Sequence, residues 1–156
     1  MSGAGAGFAS RSDAFRYAWT TMNGDGSIVA RLTGLTGSGN TRTAGVMIRE
    51  SSAGDARYVY VGRNGRGRIE YLRRTAVGGS PSTSTLTSAA PDPAWLRITR
   101  TGNSFQVAFS ANGTSWTTAS ALSLALGADL QVGLAVSSRT TSAAFTGTYT
   151  DVTVVP

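Results

Sequence analysis

Turn-forming pairs recur along this chain at short intervals, and between them side chains alternate with period two rather than with the helical period. Asn23-Gly24-Asp25-Gly26, Gly37-Ser38-Gly39-Asn40, Asn64-Gly65, Gly78-Gly79-Ser80-Pro81, Gly102-Asn103 and Asn112-Gly113 supply residues that tolerate positive φ or favour hairpin turns. The alternation predicts strands at Phe15 to Thr20, Ser27 to Leu32, Ala44 to Glu50, Tyr58 to Arg63, Arg68 to Arg73, Ala94 to Thr101, Ser104 to Ser110, Ser115 to Ala119, Gln131 to Ser137 and Ala143 to Val155. Ala76 to Pro93 reads as a long polar loop, and a turn or two of helix is expected near Leu122 to Leu126. Many short strands with antiparallel turns and no room for crossover helices define an all-β, two-sheet antiparallel β-sandwich.

Composition supports this architecture. Glycine, serine and threonine number 20, 19 and 21, more than a third of the 156 residues, while charged residues make up 14%. A chain of this length holds one proper core without staples. One domain is expected over 8–156, with 1–7, MSGAGAG, as a linker or an artificial chain start. No apolar run approaches a membrane span of 18 or more residues, and no membrane partner is expected.

All 14 basic residues are arginine, and histidine and cysteine are absent. That removes the histidine base, the cysteine nucleophile, the Schiff-base lysine and thiolate or imidazole metal sites. Hydroxyls, tyrosines, arginines and eight carboxylates remain for chemistry.

Three segments carry a resemblance: Asn23-Gly24-Asp25-Gly26-Ser27-Ile28-Val29-Ala30-Arg31, then Ala44-Gly45-Val46-Met47-Ile48-Arg49-Glu50, then Pro93-Ala94-Trp95-Leu96-Arg97-Ile98-Thr99-Arg100-Thr101-Gly102-Asn103 running on to Ser110-Ala111-Asn112-Gly113-Thr114-Ser115-Trp116. Val132-Gly133-Leu134-Ala135-Val136-Ser137-Ser138 and the final strand around Phe145 to Val154 extend it. In this order they resemble the concanavalin A-like lectin/glucanase superfamily, in particular accessory β-sandwich domains of secreted bacterial carbohydrate-active and surface proteins. The resemblance implies a jelly roll whose ligand, where one is known, is a glycan. It further implies a secreted, extracellular bacterial protein, its signal peptide outside this chain, with catalytic or surface domains of the same parent chain as neighbours.

Relatives that hydrolyse glycosides carry a Glu-x-Asp-x-x-Glu strand, which is absent here. The two glutamates, Glu50 and Glu70, stand on separate predicted strands. Jelly-roll lyases pair tyrosine and arginine with a histidine or glutamine, and this chain has no histidine. The expected role is therefore non-catalytic: a carbohydrate-binding module, with a structural or adhesive spacer as one alternative and a polysaccharide lyase as a second.

Glycan binding needs aromatic faces and planar polar groups. Alternation sets Tyr58 and Tyr60 opposite Val59 and Val61, Arg31 opposite Ile28, Ala30 and Leu32, and Arg49 opposite Val46 and Ile48. It also groups Arg68 and Glu70. If the valines face the core, Arg31, Arg49, Tyr58, Tyr60, Arg68 and Glu70 share an outward face; otherwise they are half-buried packing residues on a solvated sheet. Trp95 and Trp116 are expected to be structural, and Trp19 to make a contact at a loop edge. Asp25 sits on a tight turn, where capping is favoured over structural calcium, so no cofactor is expected. Arg63, Arg66, Arg68, Arg73 and Arg74 form a basic cluster without a nucleic-acid motif. No nucleic acid partner is expected, a monomer is, and the guanidiniums suit an acidic or sulfated polysaccharide.

Overall fold

A computed structural model describes residues 1–37 and 39–156, with the backbone alone for 141–143. Ser38 of the expected 37–40 turn and the side chain of Ala143 lie outside the described residues. The strands are β1 (Ser2–Gly5), β2 (Arg16–Asn23), β3 (Gly26–Thr36), β4 (Thr43–Arg49), β5 (Tyr58–Asn64), β6 (Ile69–Arg74), β7 (Ser82–Thr87), β8 (Ala94–Thr101), β9 (Ser104–Ser110), β10 (Thr117–Thr118), β11 (Leu122–Ser123), β12 (Asp129–Ser137) and β13 (Thr140–Val155). They form two antiparallel sheets. The back sheet runs β1-β13-β3-β8-β9-β10, with β11 also on β9, and the front sheet runs β2-β12-β4-β5-β6-β7.

The sandwich core lies where alternation placed it. Ile28, Ala30, Leu32, Leu96, Ile98 and Val107 of the back sheet meet Val46, Ile48, Val59, Val61, Val132 and Val136 of the front sheet. Tyr149, from the back sheet, donates its hydroxyl to the carbonyls of Gly45 and Ala135 at 3.1 and 3.0 Å, tying the layers together.

Several expectations change. Residues 1–7 are not a free linker: Ser2–Gly5 pairs with β13, and the Met1 ammonium donates to the Gly147 carbonyl at 2.8 Å. Within the supposed loop 76–93, β7 pairs with β6 because Thr and Ser alternate there at an edge, where one face can stay wet. Leu122 to Leu126 is no helix. Leu122–Ser123 pairs with β9, and Leu124 and Leu126 reach the core at every second position.

The front sheet carries a third layer. The chain leaves β1, crosses the outer face of the front sheet through residues 7–15, and enters β2. Phe8 packs edge-on against Phe15, Tyr58 and Tyr60, with ring centroids at 4.9, 5.8 and 4.6 Å. Met47, Leu72 and Ala135 complete this second apolar cluster.

Candidate functional site

The outer face of the front sheet divides into a sealed centre and two open ends. In the centre the alternation is as expected, since Tyr58 and Tyr60 do point away from the valines. Both are nevertheless wholly buried, because Phe8 covers them. The Tyr58 hydroxyl donates to the Phe8 carbonyl, and the Tyr60 and Thr43 hydroxyls lie 2.5 Å apart. Burial pushes both phenols far above the ordinary tyrosine range, the opposite of what a tyrosine base requires.

Arg49 is also taken up structurally. Its Nη1 and the Arg74 Nη2 grip the buried Asp13 carboxylate at 2.5 and 2.6 Å. Arg49 then spends its remaining donors on the Ser51 and Ala53 carbonyls. Arg74 reaches Gly79 and Ala56 at 3.0 Å each, and Ser10. One carboxylate from the covering segment thus satisfies two guanidiniums that water cannot reach.

The remaining expected residues separate. Arg31 lies on the back sheet, between Thr150 and Trp95, so it shares no face with Arg49. Period two fixes a strand's faces but not the sheet it joins. Glu70 is 4% exposed and accepts from Arg139 at 2.8 Å and from Asn64 at 3.3 Å. Arg68 is exposed at the β5–β6 turn. Glu50 is held by Arg57, whose hydrogen bonds keep its carboxyl below the usual range. Glu70 is level with Gly45 through Gly62, and Glu50 follows Gly45 by five residues. At about 3.3 Å per residue the two glutamates stand roughly 16 Å apart along the strands, beyond the 5–9.5 Å at which two carboxyl groups act on one glycosidic bond.

Trp95 and Trp116 lie on the outer face of the back sheet. The Gly113 turn sits against Trp95, and the Arg97 guanidinium stacks 4.3 Å from the Trp116 ring. Asp25 does not cap its own turn: its Oδ1 accepts from the Gly102 amide at 2.7 Å, tying the connection between β2 of the front sheet and β3 of the back sheet to the β8–β9 hairpin. Among the described residues no group of three or more Asp or Glu converges to hold a metal ion.

Trp19 is the aromatic that stays open. It is 48% exposed on edge strand β2, opposite Gly133, where no side chain covers it. On one side lies a depression of about 400 Å³ walled by Phe15, Arg16, Tyr17, Ser52 and Gly54. On the other, about 230 Å³ is bounded by Thr21, Glu50, Ser51, Asp129 and Gln131. Gln131 donates its amide to the Ser52 hydroxyl at 2.7 Å, and its Oε1 is buried with no partner among the described residues. An exposed indole between two hydroxyl-lined hollows can stack on a sugar ring while Thr21, Ser51 and Ser52 offer hydroxyls to it. Phe8, Tyr17 and Gln131 did not stand out in the sequence, and Arg74 did so only as one member of a basic cluster. Two phenylalanines in a glycine- and serine-rich leader, Phe8 and Phe15, were the available signal.

No protein-family model matches the sequence, and no curated protein matches it as a relative. Solved structures do match. A functionally unknown protein from Saccharomyces cerevisiae superposes with a TM-score of 0.71 at 13% identity, over 94% of this chain and 84% of that one. The carbohydrate binding module CBM66 from Bacillus subtilis gives 0.61 at 15%, over 94% and 84%. A xylan beta-1,4-xylosidase from Bacillus Halodurans C-125 gives 0.68 at 11%, over 92% of this chain but 30% of the enzyme. At these identities the likeness is one of fold, a two-sheet antiparallel β-sandwich.

Proposed function

We propose that this domain is a non-catalytic carbohydrate-binding module that holds a polysaccharide against Trp19. The observation that carries the reading is the half-exposed indole between two hydroxyl-lined hollows. The fold it shares with a carbohydrate binding module supports it, as does the burial of the tyrosines a lyase would need. In this reading the domain serves a secreted bacterial protein as an accessory unit.

Affinity electrophoresis in gels containing soluble polysaccharides tests this. Retardation that is lost in Trp19→Ala, with the circular dichroism spectrum unchanged, is the expected result. A folded protein that migrates freely through every polymer would leave a structural spacer. Undiminished retention in Trp19→Ala would move the site elsewhere.

A further inference from the structure

At the other end of the same face, beyond the covering segment, a cleft of about 220 Å³ opens between the β5–β6 turn, β7 and the corner before β13. Its positive wall is held rigidly. The Asn64 side-chain oxygen accepts from the amides of both Arg66 and Arg68, at 3.0 and 3.2 Å. The Gly67 amide, at φ +74, closes the turn onto the Asn64 carbonyl at 3.0 Å. Arg139 faces them from a left-handed backbone, φ 58, a conformation unfavourable for a residue with a side chain.

The charges here do not cancel. Arg139 is paired with Glu70. Arg66 and Arg68 have no carboxylate partner among the described residues, so three guanidiniums meet one carboxylate. Among the described residues the Arg139 Nε is a buried donor without an acceptor. Thr83 and Thr85 of β7 add hydroxyls at the rim. The occupant that satisfies this wall is an anion with several acceptor oxygens. The cleft is on the scale of one sugar unit, and among its described lining residues there is no aromatic ring on which a base would stack.

We propose that this cleft is an anion subsite taking a carboxylate or sulfate group of an acidic polysaccharide, with Arg66 and Arg68 supplying the charge and Thr83 and Thr85 the neighbouring hydrogen bonds. The proposal rests on the glycan-binding reading and narrows its substrate class. From β2 to β6 the front sheet spans four strand spacings, roughly 19 Å at about 4.8 Å each. A ligand engaging both Trp19 and this cleft is therefore a polymer rather than a single sugar.

The test is affinity electrophoresis of the full chain, against polymer-free gels, in polygalacturonate, dextran sulfate, neutral xylan and duplex DNA. Retention on polygalacturonate or dextran sulfate is expected, and which of them retards more distinguishes carboxylate from sulfate. Arg66→Gln with Arg68→Gln weakens that affinity about tenfold or more, as the loss of charge-assisted hydrogen bonds implies. Arg31→Gln with Arg97→Gln removes the same charge from the back sheet and changes it less than about twofold. Equal losses in the two double variants would overturn the proposal. So would retention on xylan matching that on both acidic polymers, which leaves the glycan-binding reading standing. Retention on DNA that equals the acidic polymers and vanishes with the same variant would mark a general polyanion patch and overturn it too. Retention on no polymer defeats both proposals. Acidic retention that survives Trp19→Ala but not the Arg66 and Arg68 change would retire the Trp19 site and keep this one.

Discussion

The sealed centre and the open ends of the front sheet are built from the same residue types, yet they do opposite things. In the centre, Arg49 and Arg74 close on Asp13 while Tyr58 and Tyr60 lie under Phe8. At the ends, Trp19 stands half open and Arg66 and Arg68 keep their guanidiniums free of carboxylates among the described residues. Arginine beside an aromatic is thus neither a structural nor a binding signature by itself. What decides is whether a covering segment brings a carboxylate and a ring of its own. Perturbations of the centre are therefore expected to cost stability, and perturbations of the ends to leave it unchanged.

Alkali should separate the regions most sharply. Burial raises the phenols of Tyr58 and Tyr60 above their unfolded value, so each stays neutral in the fold. Their stabilisation is complete below about pH 10 and is lost as pH rises above it, at about 1.4 kcal/mol per unit for each such group. Denaturant midpoints should hold steady from neutrality to about pH 9.5 and then collapse; a flat profile to pH 12 would show the centre to be open. Asp13→Asn should come next, costing about 3–5 kcal/mol in urea unfolding because two buried guanidiniums lose their charge partner. Phe8→Ala should cost about 3 kcal/mol through the cavity it leaves over Tyr58 and Tyr60. Trp19→Ala, by contrast, should stay within about 0.5 kcal/mol of the parent. A large loss there would mean that the ring serves the fold and would merge the two regions.

Much of the fold was legible because it is written locally. Ala94–Thr101 and Ser104–Ser110 run where alternation and the Gly102-Asn103 turn put them, and the valine face of β5 is the core face. The site was less legible because its decisive contacts are remote in sequence. Asp13 reaches Arg74 across 61 positions, and Phe8 accepts from Tyr58 across 50. No periodicity in MSGAGAGFASRSD announces that this segment will lie across a sheet. Arg31 shows the same limit, since its alternation fixed a face while long-range pairing chose the back sheet. Trp19 stands out in the sequence because it falls outside the segments that carry the family resemblance, and the structure leaves its ring exposed.

The covering segment also sets the rhythm at which the front sheet breathes. Strands β4 and β5 lie between two apolar layers and two neighbouring strands, so their amides can exchange with solvent only when the whole domain opens. Edge strands β2 and β7, which carry Trp19, Thr83 and Thr85, have one free side and can fray alone. The parts of the molecule proposed to face a ligand are thereby hung on its most yielding margins, around a centre that opens only with the whole fold.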